Sequence, residues 1–376
     1  MPPRTNERAL LLLCLAAACF GLALVYSATR YDPALHALPA KQAAALAAGL
    51  LGALVLTWVD LARLLDRLWW LLAAGNVGLL LLLVPLGNDD GTGNRSWLAL
   101  PGGIFNLQPA AFGKLVFVLL LARQLVRLDR GGLSRPRALL GPAAHALGLC
   151  GLLWAVSGDV GMVTVYLGIY LVLLWAAGSP PWWLLAQIGA GIGALVLLWG
   201  RLPGYIRLRV AVVLDHDLDP LGKGFQQERS LLALGSGRVT GQGWLQGLQT
   251  QSAASSALPE RHTDFLFAVC GEELGLIGCL LVLALLAAVV LRCVRIAARA
   301  EGALLRLVAV GVGASLAVPT VLNLGMCLYA APVIGVGLPF FSYGGSAMVS
   351  DLLSVGAVLS LVRRDRAYSR PRGGAR

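Results

Sequence analysis

Six ionisable residues stand inside or at the edge of long apolar runs: Lys114, Asp159, Asp264, Glu272, Glu273 and Asp351. A charge in hydrocarbon is costly unless it is paired or used, so each is a candidate functional residue. Lys114 and Asp159 carry opposite charges on different runs and are expected to form an ion pair, with substrate contact as an alternative or companion role. Asp264 closes the polar run Leu258, Pro259, Glu260, Arg261, His262, Thr263, Asp264. One reading makes Thr263 the N-cap of the following helix and Asp264 an acid favoured at its positive end. The other makes Asp264 a general base at a membrane surface, flanked by Arg261 and His262, where a lipid-linked substrate would meet it.

Two further segments suit anions. Residues 102 to 109, ending in Gln108 and Pro109, and residues 339 to 346, with Ser342, Gly344 and Gly345, each precede an apolar run. Amides at helix N-termini receive phosphate oxygens, although Pro109 at a first helical position and Ser346 as an N-cap explain the same residues structurally.

The elements that must position these groups are membrane spans. Apolar residues make up 58% of the chain, charged residues 13%, and the mean hydropathy is +0.76, whereas soluble domains carry about 25% charged residues. Runs at 9–28, 42–59, 68–86, 110–127, 138–157, 160–178, 182–200, 265–291, 303–330 and 346–362 predict ten transmembrane helices in an all-α membrane protein. One integral membrane domain, 1–376, accounts for the length, with a long loop at 201–263 between helices 7 and 8 and a basic tail at 363–376.

The net charge of +11 is largely a matter of topology. Lys and Arg number 19 on the side that holds both ends of the chain and 3 in the short loops opposite. That contrast puts both termini in the cytoplasm and the 201–263 loop outside. Seven basic residues in that loop, three of them before Val210, suit an anionic substrate or lipid surface, or are solvated charge in a loop long enough to escape the rule. No nucleic-acid partner is implied. The seven cysteines lack zinc-type spacing and read as small core residues, and four scattered histidines argue against a histidine-rich metal site. Residues 1–28 resemble a signal peptide but are expected to be an uncleaved first span.

On these motifs the chain resembles the SEDS proteins, the RodA and FtsW group. The specific stretches are LPERHTDFLFAVCGEELGLIG at 258–278 and NLGMCLYAAPVIGVGLPFFSYGGS at 323–346, with GNRSWL at 93–98, QP at 108, Lys114 and GDVG at 158–161. The run GQGWLQGLQTQ before LPERHTDF looks more like RodA than FtsW.

The resemblance implies a multi-pass bacterial inner-membrane enzyme, a peptidoglycan glycosyltransferase that polymerises lipid II. It would work with a class B penicillin-binding protein, the transpeptidase, in the elongation or division machinery. The reaction is inverting hexosyl transfer from an undecaprenyl-diphosphate donor. Asp264 then becomes the candidate catalytic base. Arg95, Lys114, Arg238 and the amides around Gly344 and Gly345 are the candidates to hold the diphosphate, Glu260 and His262 to shape the acceptor side, and Gln108 and Ser342 are further candidates for substrate binding. The resemblance names no certain cofactor, and a divalent metal could assist the diphosphate.

Two positions depart from the family pattern. Gln108, Pro109, Ala110, Ala111 lacks the acid of the usual QPSE, and Met162 follows Asp159, Val160, Gly161 where threonine is usual. The competing functions are a lipid II flippase using the intramembrane charges and a catalytically weak scaffold for a penicillin-binding protein.

Overall fold

The computed structural model describes residues 4–88, 94–99, 106–128, 133, 135–215, 218–219, 222–254 and 257–369. Gly93 and residues 102–105 of the sequence motifs, and the end of the basic tail, lie outside them.

Among the described residues ten helices are long and apolar enough to cross a membrane, as expected. The spans lie in α1 (Arg4–Thr29), α2 (Leu38–Leu56), α3 (Leu61–Leu81, extended by a turn at Leu83–Leu86), α4 (Pro109–Arg127), α5 (Pro136–Ser157), α6 (Val160–Ala177), α7 (Pro181–Leu198), α10 (Leu266–Arg299), α11 (Ala303–Cys327) and α12 (Gly345–Ser369). Helices α4, α11 and α12 are the most buried, whereas no residue of the α7 span is buried. A small antiparallel sheet, β1 (Gly87–Asn88), β2 (Trp97–Ala99) and β3 (Asn106–Leu107), leads into α4, with Gly87 opposite Leu98 and Leu98 opposite Leu107.

The connection between α7 and α10, read from sequence as a loop, contains α8 (Gly204–Leu214) and α9 (Lys223–Ser236). Hydropathy missed α9 because its buried face is partly polar. Gln227 Nε2 donates to the carbonyls of Met326 and Ala331, and Ser230 Oγ to that of Cys327. These bonds tie α9 to the last turn of α11 and to Ala331 just beyond it.

Helix α10 is broken at Gly275, whose φ of 65° and ψ of −161° only glycine adopts readily. A break in a membrane helix frees backbone groups that need other partners. Here the carbonyls of Glu272 and Glu273 accept from the amides of Gln242 and Gly243, while the amides of Leu276 and Ile277 donate to the carbonyls of Arg238 and Val239. The loop thus completes the helix.

Glu272 and Glu273 also act here. Glu272 accepts from the amides of Gln249 and Thr250 and from the Thr250 hydroxyl, and Glu273 from Ser27 Oγ and Gln251 Nε2. Both acids are buried and fix the GQGWLQGLQTQ segment onto α10 and α1. These contacts give the two carboxylates an architectural role.

Candidate active site

A cavity of about 510 Å³ opens where the first turns of α4, α6 and α12 meet the segments 260–264 and 333–344. Asp264 lines it, together with Glu260, Arg209 of α8, Gln108, Lys114, Asp159 and Asp351.

The turn that carries Asp264 is held from several sides. Asn323 Nδ2 donates to the carbonyls of Asp264 and Val336, at 2.7 and 2.8 Å. Ser342 Oγ donates to the Thr263 carbonyl and accepts from the Leu338 amide, while the Tyr343 amide donates to the His262 carbonyl. The Arg261 guanidinium donates to the carbonyls of Leu258, Gln249, Thr250 and Ser252 and lies 3.7 Å from the Tyr31 ring centroid. Arg261 is therefore a staple of the turn. Gly335 lies beside the carboxylate, and its φ of 74° favours glycine there, although a Cβ would meet Asp264 Oδ2 only at an ordinary contact distance of 3.9 Å.

The capping explanation of this segment fails. Helix α10 starts at Leu266 with Phe265 in the N-cap position, and the Thr263 hydroxyl donates back to Glu260 Oε2 at 2.9 Å.

The expected Lys114–Asp159 ion pair is also corrected. Lys114 Nζ binds Asp351 Oδ1 at 2.8 Å, with both side chains buried. Asp159 instead caps α6, accepting from the Met162 amide at 2.9 Å, with Ser96 Oγ and Gln108 Nε2 at 3.5 and 3.4 Å from its other oxygen. Asp351 lies in the last span, 237 residues from Lys114, so no local spacing links the pair.

The remaining sequence candidates divide. Gln108, Lys114, Glu260, Ser342 and Gly344 line the cavity with Asp264. Arg95 and Arg238 are exposed and are not among its lining residues. Arg238 contributes its carbonyl to the α10 break. The Gly344 amide donates to Gln42 Oε1 at 3.1 Å, which takes it from the expected anion site, and Gly345 starts α12 outside the lining. Ser346 is a tie: its hydroxyl donates to the Asn106 carbonyl and accepts from the Gln108 amide.

His262 stands beside the cavity, its ring centroid 6.0 Å from that of Tyr343 and its Nδ1 buried without a hydrogen-bond partner. Burial holds its pKa below the ordinary histidine value, with Glu260 raising it and Arg261 lowering it further. Sequence reasoning missed the position of Arg209, which was counted only as loop charge, and the partner of Asp351. The signal for Asp351 was present, an acid inside an apolar run matched by one lysine in another.

Among the described residues no three His, Cys, Asp or Glu side chains group as metal ligands. The acids lining the cavity beside Asp264 are Glu260, Asp159 and Asp351, the last engaged by Lys114.

A family model described as a cell cycle protein of the FtsW, RodA and SpoVE type matches residues 8–367. The chain is 36% identical over 287 residues to the peptidoglycan glycosyltransferase MrdB of Escherichia coli, covering 75% of each. It is 30% identical to the probable peptidoglycan glycosyltransferase FtsW of Geobacter metallireducens, covering 94% of each. Among solved structures it is similar to a chain of a peptidoglycan synthase complex that coordinates polymerization and crosslinking, with a TM-score of 0.79 at 30% identity over 95% of this chain and 97% of that one.

Proposed function

The chain belongs to the FtsW, RodA and SpoVE family of cell cycle proteins, a peptidoglycan glycosyltransferase of the bacterial inner membrane, and on that premise we propose that Asp264 is its general base. The observation that carries this reading is the single cavity that Asp264 lines together with Arg209 and the Lys114–Asp351 pair.

In the proposed reaction the 4-hydroxyl of an acceptor GlcNAc gives its proton to the Asp264 carboxylate as its oxygen bonds the anomeric carbon of a MurNAc. The bond from that carbon to undecaprenyl diphosphate breaks, its electron pair leaves with the diphosphate, and the configuration inverts. Arg209 takes the diphosphate-binding role first given to Arg95 and Arg238, because a guanidinium fork matches phosphate oxygens. Lys114, neutralised by Asp351 and bonded to the Ser315 carbonyl, orders the cavity floor and offers its third donor. A divalent ion, if used, would be shared between the diphosphate and one or two of the lining carboxylates.

The partner we propose is a class B penicillin-binding protein supplying the transpeptidase; the likeness to a synthase complex that couples polymerization to crosslinking supports it. The loop run at 241–251 favours a role in elongation.

The test is conversion of lipid II to glycan strands by the purified protein with its penicillin-binding protein. Asp264→Ala should abolish product while the variant still inserts, and retained polymerisation would remove the base assignment. A weakly catalytic scaffold is the second reading, favoured because Ala111 and Met162 both line the cavity. It expects Ala111→Glu to raise activity sharply, and an unchanged rate would count against it.

A further inference from the structure

At the opposite ends of α4 and α12 from Asp264 lies a second cavity, of about 560 Å³, between α3, α4, α11 and α12. Arg123 of α4 lines it. Its side chain is 8% exposed, and its Nε is sealed from solvent without a hydrogen-bond partner. The nearest carboxylate oxygen, Asp66 Oδ1, is 3.9 Å away, beyond hydrogen-bond reach, and the Trp69 ring lies 4.9 Å from the guanidinium carbon. A buried guanidinium N–H without an acceptor calls for one.

The first turn of α11 lines the same cavity, presenting the positive end of a 25-residue helix. Asp365 already accepts from the Glu301 and Gly302 amides, and Arg364 donates to Asp60 at 3.0 Å. The other charged lining residues are Arg123 and Arg127 against Asp66 and Glu301. A bare phosphate would satisfy the arginines and face the Asp66 carboxylate. A group with a phosphate and a primary ammonium matches both signs. Apolar walls from Val126, Leu304 and Leu361 and the position at the ends of four spans put this cavity at headgroup depth.

We propose that this cavity holds the headgroup of an aminophospholipid, with the phosphate against Arg123 and the first turn of α11 and the ammonium against Asp66. The inference is independent of the glycosyltransferase reading and is tested by binding alone.

The full-length protein is equilibrated with equal amounts of phosphatidylethanolamine, phosphatidylcholine and phosphatidylglycerol, and the lipids that it retains are counted by native mass spectrometry. Phosphatidylethanolamine should be retained about tenfold over the other two. Arg123→Gln should erase that retention. Asp66→Asn, at a side chain 64% exposed, should remove the preference over phosphatidylglycerol while leaving lipid bound. Equal or better retention of phosphatidylglycerol by the unmodified protein would overturn the proposal. So would unchanged selectivity in Asp66→Asn, or displacement of the lipid by inorganic phosphate, which would mark a site for soluble anions.

Discussion

Replacing Asp351 by asparagine keeps the shape of the side chain but leaves the Lys114 ammonium buried without its counter-charge. The two groups are 2.8 Å apart, their side chains 7% and 2% exposed, and the other neighbour of Nζ is the Ser315 carbonyl at 3.5 Å. Breaking a buried pair by removing one partner costs about 3–5 kcal/mol, whereas replacing both partners by neutral groups is often nearly neutral. Because the pair borders an open cavity, the lower end applies, about 3 kcal/mol for Asp351→Asn and a similar loss for Lys114→Met. The double variant should recover most of this, a coupling of about 3 kcal/mol or more by double-mutant cycle. Reversible unfolding in mixed detergent measures it. The parallel cycle of Lys114→Met with Asp159→Asn should be additive within about 0.5 kcal/mol, since Asp159 is occupied with Met162, Ser96 and Gln108. Additivity in the Asp351 cycle, or stronger coupling to Asp159 than to Asp351, would refute the reasoning.

Arg209→Met should lower the polymerisation rate by about 10–150-fold, the worth of a charge-assisted contact of about 1.5–3 kcal/mol, while Arg95→Ala and Arg238→Ala, outside the cavity, leave the rate nearly unchanged. Gly275→Ala places a Cβ 2.4 Å from the Gly241 amide nitrogen and forces a backbone that alanine avoids. It should cost at least about 1–3 kcal/mol and expose residues 238–251 to proteolysis. His262 is held neutral by burial, its folded pKa below the unfolded value, so its contribution to stability is present above about pH 6.5 and lost as pH falls. His262→Gln should flatten the acid limb of the stability profile.

The spans were legible in the sequence because hydrocarbon imposes a length and a composition on every helix that crosses it. Motif position singled out Asp264, and the turn built by Arg261, Asn323 and Ser342 agrees with its lying at the edge of a cavity. What only the tertiary structure decided are meetings between distant segments. Lys114 had several carboxylates to choose from, and helix packing selected Asp351. Arg95 and Arg209 both carry charge, yet only Arg209, on α8, lines the cavity. The capping reading of Thr263 was locally sound but lost to a turn fixed by contacts made 59 and 79 residues along the chain. Local sequence carries propensity and burial; which charge meets which is set by packing, where one geometry satisfies buried polar groups and the alternatives leave them unpaired.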